Sequence, residues 1–101
     1  MLKSAHSRYK CEAAITVRQL NDEKTFVAKM LNFSKAGMYF EADSFFKKGS
    51  IIYTRMTDGL VIHSDSKPDE KPDKARLAEV RWYKKIVKDN HSRYGVGVKY
   101  C

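Results

Sequence analysis

The stretch Asn32-Phe33-Ser34-Lys35-Ala36-Gly37 lies between two runs of strand character, Thr25 to Leu31 and Met38 to Glu41. An Asn, a Ser two residues on and a Gly three further make a tight polar turn in a hydrophobic region. Asn and Ser side chains bond the backbone of their own turn, and Gly takes φ > 0 without steric cost. Taken alone, the stretch is a hairpin loop. Its neighbours on either side determine the sheet it belongs to.

Upstream, Phe26, Ala28 and Met30 alternate with Val27, Lys29 and Leu31, the period-two pattern of a half-buried strand. Asn21-Asp22-Glu23-Lys24 is a polar connection. Before it, Cys11 to Leu20 sets Ala13, Ile15 and Val17 on one side and Ala14, Thr16 and Arg18 on the other. Two such strands with a short polar link form a hairpin. The N-terminal residues are polar and basic, with Lys3, His6, Arg8 and Lys10. They read as a flexible arm over 1–10, ahead of a domain over 11–101.

Downstream, Ala42 to Lys48 has no clean period, and Phe45 and Phe46 are expected to cap one end of the core. Ser50 to Met56 is β-branched and aromatic, a fourth strand. Thr57-Asp58-Gly59 is a turn signal, and Leu60 to His63 is a brief apolar run able to extend a strand. Residues 64–74 are polar and carry Pro68 and Pro72, so an exposed loop is expected. Arg76 to Lys85 alternates again, with Ala78, Val80 and Trp82 facing one way. Lys88 to Ser92 turns the chain. Tyr94 to Tyr100 has Gly95 and Gly97 at alternate positions, the mark of a bend or of close approach by another segment. No stretch has helical periodicity with a cap. About six strands and no βαβ pattern argue an antiparallel barrel or sandwich. At this size a closed barrel is the economical way to hide strand edges.

With 101 residues, 43% of them hydrophobic and in short separated runs, the chain makes one small domain. No apolar run approaches the roughly 20 residues that span a bilayer. The start has no apolar signal region, so a cytoplasmic protein is expected. Cys11 and Cys101, with His6, His63 and His91 scattered singly, have neither a disulfide framework nor metal-ligand spacing. The formal charge of +8 biases the domain toward anionic partners, although the cations are interspersed with acids as on an ordinary solvated surface. No nucleophile–base pair and no carboxylate pair stands out. Gly95-x-Gly97 lacks a following helix and is no dinucleotide fingerprint. The expectation is therefore a binding module, not an enzyme, with no cofactor. A basic arm and an inter-strand turn converging at a barrel mouth would offer cations for phosphates and Asn and Ser groups for hydrogen bonds. Arg8 is the best single anion ligand, because its planar fork holds two oxygens at once.

Several features in this order resemble the PilZ domain, the bacterial receptor module for cyclic di-GMP. Asn32-x-Ser34-x-x-Gly37 followed by Met38-Tyr39-Phe40-Glu41 is similar to the family's Asp/Asn-x-Ser-x-x-Gly signature and the strand after it. His6-Ser7-Arg8-Tyr9-Lys10-Cys11 resembles its basic approach to the first strand. Lys48-Gly49-Ser50-Ile51-Ile52, Ala78-Glu79-Val80-Arg81-Trp82 and Tyr94 to Tyr100 resemble later strands. The resemblance implies a six-stranded antiparallel barrel of all-β class with little or no helix. It also implies that the arm wraps the ligand while the turn holds it. The family's arm carries Arg-x-x-x-Arg. Its second Arg matches Arg8, and its first falls on Ser4, with Lys3 beside it.

The resemblance thus implies a single-domain cyclic di-GMP receptor. Arg8, Asn32, Ser34 and Gly37 would contact the ligand, Lys3, His6 and Lys10 would add positive field, and arm ordering would relay the signal to a protein partner. The alternative is a degenerate adaptor that acts by protein–protein contact, with the loop around Pro68 to Lys74 and the Phe45-Phe46 pair as candidate surfaces. A third reading, generic nucleic-acid binding, rests only on the +8 charge and exposed aromatics, and neither nucleic acid nor membrane is an expected partner.

Overall fold

The computed structural model describes residues 8–63 and 72–101, with Asp58 described by its backbone alone. Six strands follow one another along the chain: β1 (Tyr9–Gln19), β2 (Thr25–Phe33), β3 (Gly37–Ala42), β4 (Ile51–Ile62), β5 (Ala75–Lys88) and β6 (His91–Tyr100). Every pairing is antiparallel. They close into a barrel in the order β1-β2-β3-β6-β5-β4, with β4 returning to β1. No helix occurs among the described residues, and none is long and apolar enough to cross a membrane. Closure removes the free edges that a short open sheet would expose.

The period-two patterns set the interior. Ala13, Ile15 and Val17 of β1 face in, as do Ala28 and Met30 of β2, Phe40 of β3, and Val96 and Val98 of β6. The expected capping of the core by Phe45 and Phe46 divides between them. Phe46 is fully buried and meets Phe26 and Phe40 edge to face, at ring separations of 5.6 and 5.9 Å. Phe45 remains half exposed and packs on Tyr83 and Tyr94. A buried aromatic plug of this size contributes about 2–3 kcal/mol by area removed from water.

Several boundaries differ from the sequence expectation. β1 begins at Tyr9, so the last two positions of the expected arm are paired, Tyr9 with Phe33 and Lys10 with Asn32. Thr57-Asp58-Gly59 is no turn. β4 runs through it, and the pairing with β1 shifts on either side of Ala14. Gly59 takes φ +46, and the Thr57 hydroxyl donates to the Ala14 carbonyl at 3.1 Å. Two extra residues of β4 are absorbed there, one on each side of Asp58, an irregularity that bends a strand without ending it. The turn expected over Lys88–Ser92 narrows to Asp89-Asn90, both at positive φ, so β5 and β6 run to the tip of a two-residue hairpin. The expected loop over 64–74 lies mostly outside the described residues, as do Lys3 and His6.

Trp82 is the largest correction. Strict alternation from Ala78 and Val80 would bury it, yet it is 46% exposed. The pairing of β5 with β6 shifts between Val80 and Trp82, because Arg81 is an extra residue there. The shift turns Trp82 to the outside of the barrel.

Candidate ligand-binding face

A second bulge positions the Asn-x-Ser-x-x-Gly turn. Alternation from Ala28 and Met30 would carry Asn32 into the core. The β2–β3 register shifts between Met30 and Asn32 instead. Phe33 then faces in, 3% exposed, and Asn32 faces out. Its carboxamide Oδ1 accepts a hydrogen bond from the Arg8 guanidinium Nη1 at 2.8 Å. Two of the residues singled out from sequence are thus in contact, across the β1–β2 pair.

Ser34 and Gly37 do different work. Ser34 is 5% exposed. Its Oγ accepts from the Ala36 N–H at 3.1 Å, and its own N–H donates to the Gly37 carbonyl at 2.8 Å. Its hydroxyl oxygen thereby braces the turn. Gly37 pairs with Lys99 of β6. A Cβ there would overlap the Val98 carbonyl oxygen and lie 2.9 Å from its carbonyl carbon. The missing side chain is what lets β3 lie against β6.

The registers place further residues beside Asn32 that the sequence did not mark as a site. Opposed residues of neighbouring strands share a face. Lys10 opposes Asn32, Asn32 opposes Tyr39, Tyr39 opposes Gly97, and Gly97 opposes Trp82. This row crosses five strands on the outer wall. The Tyr39 and Trp82 rings stack at 5.5 Å with planes 20° apart. They lie over β6, where Cβ atoms on Gly97 and Gly95 would run into the Trp82 ring and the Tyr39 phenol. The alternating glycines thus mark close approach, by side chains of both flanking strands. The Lys84 ammonium sits 5.6 Å from the Tyr39 ring centroid. The Tyr39 hydroxyl donates to Glu41 at 3.3 Å, and burial together with that carboxylate pushes its pKa up.

Behind the turn, Tyr100 closes the barrel end. Its N–H donates to the Ala36 carbonyl at 2.7 Å. The Arg76 guanidinium covers its ring at 4.4 Å. Burial pushes the Tyr100 phenol up to about 12, against the pull of Arg76. Cys11, 2% exposed, is pushed up to about 11 by burial and by the neighbouring Glu12 carboxylate. Such a thiol is an inert core group. Among the described residues no group of three His, Cys, Asp or Glu gathers as a metal site. An open groove of about 540 Å³ runs elsewhere, along Glu12, Lys29, Asp43, Val61 and Arg93, and includes no member of the Arg8–Asn32–Tyr39–Trp82 band.

A closed barrel with a cationic, amide-bearing and aromatic band on its outer wall has the features of a ligand-receiving domain. The PilZ domain family model matches residues 3–100, and the chain belongs to that family. Among solved structures, the chain is similar to the PilZ domain with c-di-GMP of YcgR from Escherichia coli. The TM-score is 0.61 at 11% identity, over 98% of this chain and 78% of that one. No curated protein matches.

Proposed function

We propose that this protein is a cytoplasmic, non-enzymatic receptor that binds cyclic di-GMP on the outer face running from Arg8 through Asn32 to Tyr39 and Trp82. The observation that carries the reading is the Arg8–Asn32 hydrogen bond at 2.8 Å, which brings arm and turn together at the end of the aromatic row. Family membership and the nucleotide named for the YcgR domain support the choice of ligand. Arg8 takes a phosphate or a guanine edge through its fork. The Asn32 carboxamide hydrogen-bonds a base edge, and Lys10 adds positive field. The exposed ring of Trp82, with the half-buried Tyr39 ring stacked beside it, gives a purine a face to stack on. Ser34 and Gly37 act from behind, by fixing the turn. Lys3 and His6 complete the arm, and its ordering on the ligand changes the surface offered to a partner.

Calorimetric titration of cyclic di-GMP into the purified protein tests this. The expected result is saturable binding that Arg8→Ala abolishes. Ser4→Arg restores the fork missing from the family's arm. That substitution should tighten binding roughly ten- to a hundred-fold, the worth of one charged hydrogen-bonding group at about 1.5–3 kcal/mol. No heat from either protein at high micromolar nucleotide would end the proposal.

One observation favours a second reading, the adaptor that no longer binds nucleotide. The Ser34 hydroxyl is buried and engaged by its own turn, and Ser4 carries no charge. Under that reading Ser4→Arg leaves the titration flat and a partner binds without nucleotide.

A further inference from the structure

β5 outruns the barrel. Its pairing with β4 ends at Ile51 opposite Glu79, whereas its pairing with β6 continues to Lys88 opposite His91. β6 in turn loses β3 beyond Tyr94. Among the described residues, the β5 edge from Arg81 to Lys88 therefore faces no strand. Its backbone donors and acceptors form a template for another extended chain.

The two faces of this edge differ. On the face continuous with the barrel interior stand Tyr83, opposite Val96, and Val87, 66% exposed, with Lys85 between them and Phe45 beside Tyr83 at 4.8 Å. On the outer face stand Lys84 and Lys88, with Ile86 between them and Trp82 before them. Around them the ribbon carries one acid, Asp89; Arg81 and Arg93 are paired with Glu79 and Asp43, at 4.0 and 3.2 Å, so Lys84, Lys85 and Lys88 carry the excess charge. A second copy is a poor occupant, because edge-to-edge pairing brings lysines against lysines. Nucleic acid matches the charge but offers no strand edge, and it leaves Tyr83 and Val87 uncovered. An extended segment with alternating apolar and acidic residues matches all three features: open backbone, apolar face and basic face.

We propose that the Arg81–Lys88 edge of β5 takes up such a segment of a partner protein by strand addition, apolar side chains toward Phe45, Tyr83 and Val87, acidic ones toward Lys84 and Lys88. The edge starts beside Trp82, the last member of the nucleotide row, and strand addition along it does not require that the nucleotide bind.

The test uses the full chain and a fluorescent peptide of alternating valine and glutamate. Two further peptides carry N-methyl groups on every valine or on every glutamate, which keeps the charge but removes the amide donors of one strand edge. The parent peptide is expected to bind, and one of the two methylated peptides to fail. Backbone amides within 81–88 should gain protection from hydrogen exchange. Lys84→Glu with Lys88→Glu, at exposed positions that leave the barrel intact, should weaken binding by about tenfold or more. No parent binding up to about 1 mM, the weak end of measurable association, overturns the proposal. So does equal binding of all three peptides, which would mean charge alone. Displacement of the peptide by an oligonucleotide at lower concentration, or self-association of the protein through this edge, also overturns it.

Discussion

Replacing Gly37 by alanine tests whether this glycine serves the barrel or the ligand. The added Cβ would overlap the Val98 carbonyl oxygen and lie 2.9 Å from its carbon and 3.1 Å from the Lys99 Cα. All three are backbone atoms, so no side chain can swing aside. β3 and β6 must part by more than about 1 Å to restore ordinary contact. The next bond along, Tyr100 N–H to the Ala36 carbonyl, starts at 2.7 Å and leaves hydrogen-bonding range under such a shift. Overpacking costs about 1–3 kcal/mol and the lost bond about 1 more. Alanine's stiffer unfolded chain returns about 0.4–1 kcal/mol. The net is about 2–3 kcal/mol, a large fraction of the stability of a small domain. In urea, where small proteins lose about 1–3 kcal/mol per molar, the midpoint should fall by about 1–2 M. Gly49 is the control. It has φ +92 with nothing within 4 Å of a built Cβ, so Gly49→Ala carries only the conformational cost, about 1 kcal/mol. If Gly37→Ala melts no earlier than Gly49→Ala and loses only nucleotide affinity, the packing argument is wrong and the glycine belongs to the ligand.

Other consequences are directly measurable. Cys11 and Tyr100 have folded-state values raised to about 11 and about 12, so the stability they confer is complete below their unfolded values of 9.0 and 10.0 and is lost as pH rises through that window; unfolding free energies from urea titrations should decline above about pH 9, by on the order of 3 kcal/mol for the thiol alone. A thiol reagent at neutral pH should label Cys101 at once and Cys11 only as fast as the barrel opens, since one is exposed and the other buried; two equally fast thiols would contradict the fold. Phe46→Ala should cost about 3–5 kcal/mol in the same melts, whereas Phe45→Ala should cost much less. Deleting Arg81 should leave Val80 opposite Val98 and Trp82 opposite Gly97, with a stability change near 1 kcal/mol or less and unchanged fluorescence of the single tryptophan, while deleting Glu79 turns one flank of β5 to the wrong face and should unfold the chain.

The sheet was legible wherever alternation ran unbroken. Ala13, Ile15 and Val17 read as a core row and are one, and the Asn32–Gly37 turn joins the strands it was expected to join. Legibility failed at irregular pairing. Thr57-Asp58-Gly59 has the composition of a turn, and only its partner β1 makes it a bulge in a continuous strand. Asp89 and Asn90 both adopt positive φ. The flanking segments therefore pair further than their polar composition suggests. Register is a property of two strands, and one strand's sequence does not carry it.

The same irregularities make the candidate site. Without the shift after Met30, Asn32 would point into the barrel, where a carboxamide without a partner costs about 1–3 kcal/mol. Without the shift after Val80, Trp82 would compete for interior space already filled by Val80 and Val98. Each bulge reverses the phase of its strand once, and the two reversals bring Asn32 and Trp82 onto the same outer wall, in the same row, with Tyr39 and Gly97 between them. Gly97 is needed there because the Trp82 ring occupies the place of its side chain. The interior keeps its close packing while the wall gains a flat aromatic surface next to a guanidinium. A regular ladder built from the same alternations would have buried both ends of that row. The turn on its own is therefore one end of the candidate face, and the other end is set three strands away by where β5 breaks its alternation.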